Sequence, residues 1–102
     1  MGAAARVQEL LGLSDDELLD VLGTDPIALV SGDADLLPAV PVLQALAVEA
    51  EERVGGPVLR RWVRATGPAG RPLDVLLRRD FAAFEDALEL LAERGLVLRS
   101  DR

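Results

Sequence analysis

Glycine and proline interrupt this chain at short intervals, which restricts it to a series of short elements. The breaks lie at Gly12, Gly23, residues 31–35, Gly55–Gly56, residues 67–71 and Gly95. Between them, apolar residues recur every three or four positions, as Val7, Leu10 and Leu11 do, and this is the period of a helix. No run alternates apolar and polar residues as a half-buried strand does. The sequence therefore predicts an all-α fold, a compact bundle of about five to six helices.

Residues that can cap helices stand at several of the predicted helix starts. Ser14, with Glu17 three positions later, matches a capping box, in which each residue bonds the backbone N–H of the other. Thr24 is expected to cap the next short helix, which has Pro26 in its first turn. Asp80 is expected to cap the last long helix, FAAFEDALELLAER.

The composition excludes most kinds of catalysis. Half of the 102 residues are apolar, which suits one small domain with a single core. The absence of Cys and His excludes disulfides, thiol or imidazole catalysis and the usual structural zinc sites. Tyr and Lys are also missing, and Ser14, Ser31 and Ser100 have no base to activate them. We therefore expect a protein that is not an enzyme and that uses no cofactor.

Acidic residues are plentiful, but their spacing does not favour a metal site. Adjacent acids such as Asp15 and Asp16 point in different directions around a helix, so a solvated face is the favoured interpretation. The GDAD stretch lacks the distal Glu of a calcium loop. Gly67 and Gly70 lack the Lys and the buried strand of a phosphate-binding loop.

Charge is divided unevenly along the chain. Residues 1–59 hold eleven acids and two arginines, whereas residues 60–102 hold nine arginines and seven acids. Arginine is enriched at protein interfaces because its planar fork pairs bidentately, so we expect six arginines to line one protein-binding surface. These are Arg60, Arg61, Arg64, Arg71, Arg78 and Arg79. The alternative for each of them is a salt bridge to the acidic half of this chain.

Neither a membrane nor DNA is an expected partner of this chain alone. Residues 1–13 lack the pattern of a signal peptide, and no apolar run approaches the ~20 residues of a membrane span, so we expect a cytoplasmic protein. Residues 14–32 have the rhythm of a helix–turn–helix. The second helix offers Ser31 but otherwise only apolar or acidic residues, and an acidic half repels phosphates.

The C-terminal half carries a family resemblance. Trp62, the element GPAGRPLDVLL and the helix DFAAFEDALELLAERG together resemble the toxin-binding domain of the Xre/MbcA/ParS-like antitoxins. The structural positions of this match are Trp62, Gly70, Pro72, Leu73, Leu77, Phe84 and Gly95. By this resemblance, residues 1–36 form a degenerate helix–turn–helix region, and residues 37–102 form the toxin-binding region of the same compact unit.

The resemblance implies a function and a partner. Members of the family are helical bundles, often dimeric, that occlude the active-site cleft of a RES-domain toxin, which in characterised cases degrades NAD. We therefore expect an antitoxin that binds such a toxin, and a homodimer. Residues near the C-terminus often contribute to the contact in this family, so Leu96, Leu98 and Arg99 join the six arginines as expected partner-binding residues. The alternatives are a DNA-binding regulator of its own operon and an adaptor for an unrelated protein.

Overall fold

The computed structural model describes residues 2–67 and 70–94, and within these ranges the all-α prediction is confirmed. Seven α-helices, rather than about five to six, follow one another with short connections. They are α1 (Ala3–Leu11), α2 (Asp15–Leu22), α3 (Pro26–Ser31), α4 (Ala39–Val54), α5 (Gly56–Arg64), α6 (Pro72–Leu77) and α7 (Phe81–Arg94). A 3-10 helix, Asp33–Leu36, lies between α3 and α4.

Local side-chain chemistry sets most of the helix starts. The capping box is confirmed: Glu17 N–H donates to Ser14 Oγ at 3.1 Å, and Ser14 N–H donates to Glu17 Oε1 at 2.8 Å. The predicted cap on α7 is also confirmed, since Asp80 Oδ1 accepts from the N–H of Ala83 at 3.2 Å. The prediction for α3 is wrong by one residue, because Asp25 rather than Thr24 caps that helix. Both residue types cap well, but Pro26 occupies the first helical position and leaves the cap to its immediate neighbour.

One hydrophobic core joins both ends of the chain. Its buried residues come from α1, α2, α4, α5, α6 and α7, with Leu13 between α1 and α2 and Ala34 of the 3-10 helix, and Phe84 of α7 is the largest fully buried side chain. Helix α1 packs against α4 and α5, so residues 1–36 and 37–102 share the same core. No polar or charged residue is buried among the residues that the structure describes.

The family-like element packs onto α7. Pro72 and Leu73 of α6 are buried, and Leu77 is half-buried against the same core. Trp62 of α5 is also half-buried, and its ring lies 5.8 Å from that of Phe84 at an interplanar angle of 42°. Such tilted aromatic pairs contribute about 0.5–1.5 kcal/mol beyond the area that they bury. The structural role expected for Trp62 thus includes an aromatic partner that the sequence pattern did not indicate.

The turn before α6 is fixed by two glycines. Gly67 and Gly70 exchange both backbone hydrogen bonds, at 3.0 and 3.1 Å. Gly70 has a φ of 107°, a conformation that side chains with a Cβ rarely adopt. The glycine of the family-like element is therefore required by the backbone, and it sets the direction in which the chain enters α6.

Candidate functional site

The six arginines with an expected binding role are called here the arginine surface: Arg60, Arg61, Arg64, Arg71, Arg78 and Arg79. Five of them are exposed and Arg71 is half-exposed. Three belong to α5, one caps α6, and two form the connection between α6 and α7. The side chains of three of them bind other residues in the described part of the chain, and the side chains of the other three do not.

Arg64 is engaged with the junction between α1 and α2. Its guanidinium binds both carboxylate oxygens of Glu17, with Nη1 at 3.1 Å from Oε2, and Nη2 also donates to the carbonyl of Gly12 at 2.8 Å. Glu17 belongs to the capping box, so one arginine holds the end of α1 and the start of α2 together. These hydrogen bonds from Arg64, with that from the Ser14 N–H, lower the pKa of the Glu17 carboxyl.

Arg79 is engaged with the opposite end of α2. Its Nη1 donates to the carbonyl of Asp20 at 3.2 Å, so a cation lies at the carboxyl end of the helix, where the helix dipole favours positive charge. The backbone of Arg79 itself is left-handed, with a φ of 59°. Its N–H bonds the carbonyl of Leu76, and the N–H of Asp80 bonds that of Val75, which is the Schellman pattern that glycine usually completes.

Arg71 is engaged locally. Its Nη2 lies 2.7 Å from Oδ1 of Asp74, three residues further along the first turn of α6. The hydrogen bond from Arg71 lowers the pKa of the Asp74 carboxyl. The pair is open to solvent, so it orients Arg71 more than it stabilises the fold.

The side chains of Arg60, Arg61 and Arg78 make no hydrogen bond and no ion pair to any residue in the described ranges. The aliphatic stem of Arg60 lies over Gly12, where an added Cβ would be 3.2 Å from its Cγ and Cδ. Its guanidinium lies over Gly56 at the start of α5, on the side where the Glu51 carboxylate also lies, and it forms no ion pair with that carboxylate. These three exposed cations are the part of the arginine surface that is open to a partner.

The uneven charge of the sequence is partly neutralised in space. Helix α2 begins with Asp15, Asp16 and Glu17, and it packs against α6 of the more basic half. Arg64 lies at its start and Arg79 at its end. The salt-bridge alternative thus holds for Arg64, whereas Arg79 contacts the acidic half through a backbone carbonyl.

A second exposed surface was missed by sequence reasoning. The name α3 segment is used here for residues 26–36, which comprise α3 and the following 3-10 helix. Helix α3 has no buried residue, and Ile27, Val30 and Leu36 are 78%, 89% and 81% exposed. Full burial of such a side chain stabilises a protein by about 1.5–3 kcal/mol, and these three side chains do not contribute this stabilisation to the fold. The feature of the sequence that could have indicated this exposure is the short distance between Pro26 and Gly32, which limits α3 to six residues.

The α3 segment also bears on the helix–turn–helix hypothesis. In that arrangement α3 would be the helix that enters the DNA groove. Its most exposed side chains are the aliphatic Ile27 and Val30, and its cap is Asp25. None of these groups donates a hydrogen bond to a base edge or neutralises a phosphate.

Four of the expected site residues, Gly95, Leu96, Leu98 and Arg99, lie outside the described residues, and their roles stay predictions. In residues 2–67 and 70–94 there is no group of three acidic side chains placed to hold a metal ion. No helix in the same ranges is long and apolar enough to cross a membrane. A groove between α4 and α7, beside Leu46 and Leu88, has a volume of about 20 Å³, which is room for about one water molecule.

Comparison with family models, with curated proteins and with solved structures finds no match to this chain.

Proposed function

We propose that this protein is a cytoplasmic bacterial antitoxin of a type II toxin–antitoxin system. It binds a RES-type, NAD-degrading toxin and covers the active-site cleft, and it performs no chemistry of its own. The resemblance of the stretch from Trp62 to Gly95 supports this proposal. The observation that carries it is the set of exposed cations, Arg60, Arg61 and Arg78, without a partner among the described residues and next to the family-like element.

The free arginines suit protein binding for a physical reason. An arginine that is already paired must break that pair before it can bind elsewhere, whereas an exposed unpaired one loses only water and side-chain freedom. The toxin surface would supply carboxylates or carbonyl oxygens, which accept from the guanidinium fork. Arg64 and Arg79 instead hold α2 in place, so their substitution disturbs the fold as well as the contact.

A rescue experiment tests the proposal. The product of the adjacent gene is expressed alone and together with this chain, while growth and cellular NAD are followed. We expect growth arrest with loss of NAD, and recovery of both when this protein is present. A neighbour that is harmless, or that stays toxic in the presence of this chain, would contradict the proposal.

Charge reversal then tests the surface. The triple variant R60E/R61E/R78E is compared with R53E, a matched control on the exposed end of α4. The triple variant should weaken toxin binding tenfold or more, about 1.4 kcal/mol, and R53E should not. Circular dichroism checks that both variants are folded. Equal binding by both would remove the arginine surface from the interface.

The homodimer is part of the same proposal. Sedimentation of the free protein over a range of micromolar concentrations measures its mass directly. A mass of twice the 10.9 kDa chain is expected. A monomer throughout this range would remove the dimer from the proposal without affecting toxin binding.

A further inference from the structure

Exposed apolar residues concentrate in the α3 segment. Ile27 and Val30 are three positions apart, so they share one face of α3, and Leu36 belongs to the 3-10 helix that contacts α3. The other large apolar residues that are exposed in the described ranges are Val42 and Leu90, at 50% and 47%. Neither reaches the exposure of the α3 segment. An apolar cluster of this kind on a small domain indicates a contact with another molecule.

The charges around the α3 segment indicate which charge its binding partner should carry. Asp25 precedes α3 and Asp33 follows it, both are exposed, and no arginine occurs in the sequence between Arg6 and Arg53. Asp35 is held by the N–H of Ala4, at 2.8 Å. An acidic partner would be repelled at this site, whereas a partner that carries Lys or Arg beside an apolar face would be attracted.

A second copy of this chain does not supply such a face from its described residues. Two α3 segments in contact would place Asp25 and Asp33 of one copy against the same acids of the other. Leu90 lies one turn from Asp86, Glu93 and Arg94, so acids outnumber the one arginine beside it, and the turns around Val42 hold no charged residue. Within residues 2–67 and 70–94 a second copy thus offers no apolar face with a net positive charge, and this favours a different protein as the partner.

We infer that the α3 segment is a docking surface for an amphipathic, basic helix of another protein. The apolar face of that helix would cover Ile27, Val30 and Leu36, and its Lys or Arg residues would lie near Asp25 and Asp33. A helix fits because the α3 segment presents helical ridges, and the segment has no unpaired strand edge that could receive an extended peptide. This surface is separate in residues and in charge from the arginine surface, and the inference does not depend on the antitoxin proposal.

A synthetic peptide tests the inference directly. The probe is an 18-residue helical peptide with leucines on one face and lysines and arginines on the other. Two control peptides have the same composition in scrambled order and the same pattern with glutamates in place of the basic residues. Binding to the full chain is measured by titration, and the contact is mapped by backbone amide chemical shifts. The protein variants are I27S/V30S/L36S and, as a matched control, V42S.

The expected result has three parts. Shift changes concentrate in residues 25–37, the triple variant binds at least tenfold more weakly than the unchanged protein, and V42S binds equally. D25N/D33N and added salt both weaken binding, because the attraction depends on these carboxylates. The inference is overturned if the peptide does not bind, if the scrambled or acidic peptide binds as well, or if the shifts map to another surface. A dimer formed through the α3 segment, seen as a mass that falls on dilution and is lost in the triple variant, would also overturn it.

Discussion

Helices α2 and α3 follow each other in the chain, and comparing them separates two requirements for burying a helix. Helix α2 has four acidic residues among eight, yet it buries Leu18, Val21 and Leu22. Helix α3 has three large aliphatic residues among six and no acid, yet it buries none of them completely. An apolar stripe is therefore not sufficient: a helix is buried where neighbouring elements offer a surface to cover it, as α1 and α6 do for α2.

Helices α2 and α3 also differ in the hydrogen bonds and contacts that hold them in place. Helix α2 has a reciprocal capping box at its start and arginines from other elements at both ends. Helix α3 has the single cap of Asp25, and its extensive contacts are with the adjacent 3-10 helix. Contacts that are distant in sequence tie α2 to global stability, while the contacts of α3 are mainly local. Because few distant contacts hold α3, its apolar side chains stay exposed and can contact another molecule.

The largest expected effect distinguishes the apolar residues of the two helices. Leu18 is fully buried, so L18A should lower the free energy of unfolding by about 2–5 kcal/mol. Val30 is 89% exposed, so V30A should change it by less than about 0.5 kcal/mol. Urea denaturation followed by Trp62 fluorescence measures both. A loss of several kcal/mol in V30A would mean that α3 is covered in solution.

A smaller effect is expected at Arg79, which closes α2 from outside. R79A loses the bond to the Asp20 carbonyl and keeps the left-handed strain, so it should be destabilised by about 1 kcal/mol. R79G loses the same bond but relieves strain of about 1–2 kcal/mol. R79G should therefore be more stable than R79A by about 1 kcal/mol in thermal unfolding. Equal stability of the two variants would show that the backbone at this position is not left-handed in solution.

The caps of the two helices provide a matched pair. S14A removes a cap from a helix that belongs to the core, and it should cost about 1 kcal/mol of global stability. D25A removes a cap from α3 and should cost less globally, because α3 contributes no fully buried residue to the core. Amide exchange should rise in residues 26–31 of D25A alone. A global loss in D25A as large as that in S14A would contradict the comparison.

The smallest expected effect is the ion pair between Arg64 and Glu17. It is partly exposed, so a double-mutant cycle with R64M and E17Q should give a coupling of at most about 1 kcal/mol. The pKa of Glu17 is lowered in the folded protein, so its contribution is complete above the unfolded value of ~4.3. That contribution is lost as the pH falls through the folded pKa.

The pH dependence gives the readout. Between pH 5 and pH 2 the unfolding free energy of the unchanged protein should fall more steeply than that of E17Q. Asp74 titrates with the same sign and is present in both proteins, so only the difference between the two curves reports Glu17. Parallel curves would mean that Glu17 is not paired in solution.

The sequence predicted the parts of this fold that depend on residues near one another in the chain. Ser14 and Glu17 form the expected capping box because the pattern and the structure lie within one turn. Phe84 is buried as its spacing with Leu88 and Leu91 indicates. The cap of α3 was predicted one residue too early, at Thr24 instead of Asp25, because two residues that cap well are adjacent there.

Predictions about the site were less complete, because they depend on contacts between distant residues. The six arginines are alike in the sequence, but Arg64 meets Glu17 across 47 residues and Arg79 meets Asp20 across 59. Nothing in the sequence indicated the left-handed conformation of Arg79, because glycine or asparagine usually occupies such a position. Trp62 was expected to be structural, but its pairing with Phe84 depends on how α5 and α7 pack.

The sequence by itself determined most of the places where helices begin and end, and which of their faces are apolar. Caps, glycine stops and the 3.6-residue period act within a few residues, so they are the same in any fold of this chain. Only the tertiary structure decided which apolar face is covered and which arginines are already occupied, because both depend on the neighbours that packing supplies. Among the described residues, packing leaves the side chains of Arg60, Arg61 and Arg78 exposed and unpaired, and it leaves Ile27, Val30 and Leu36 exposed.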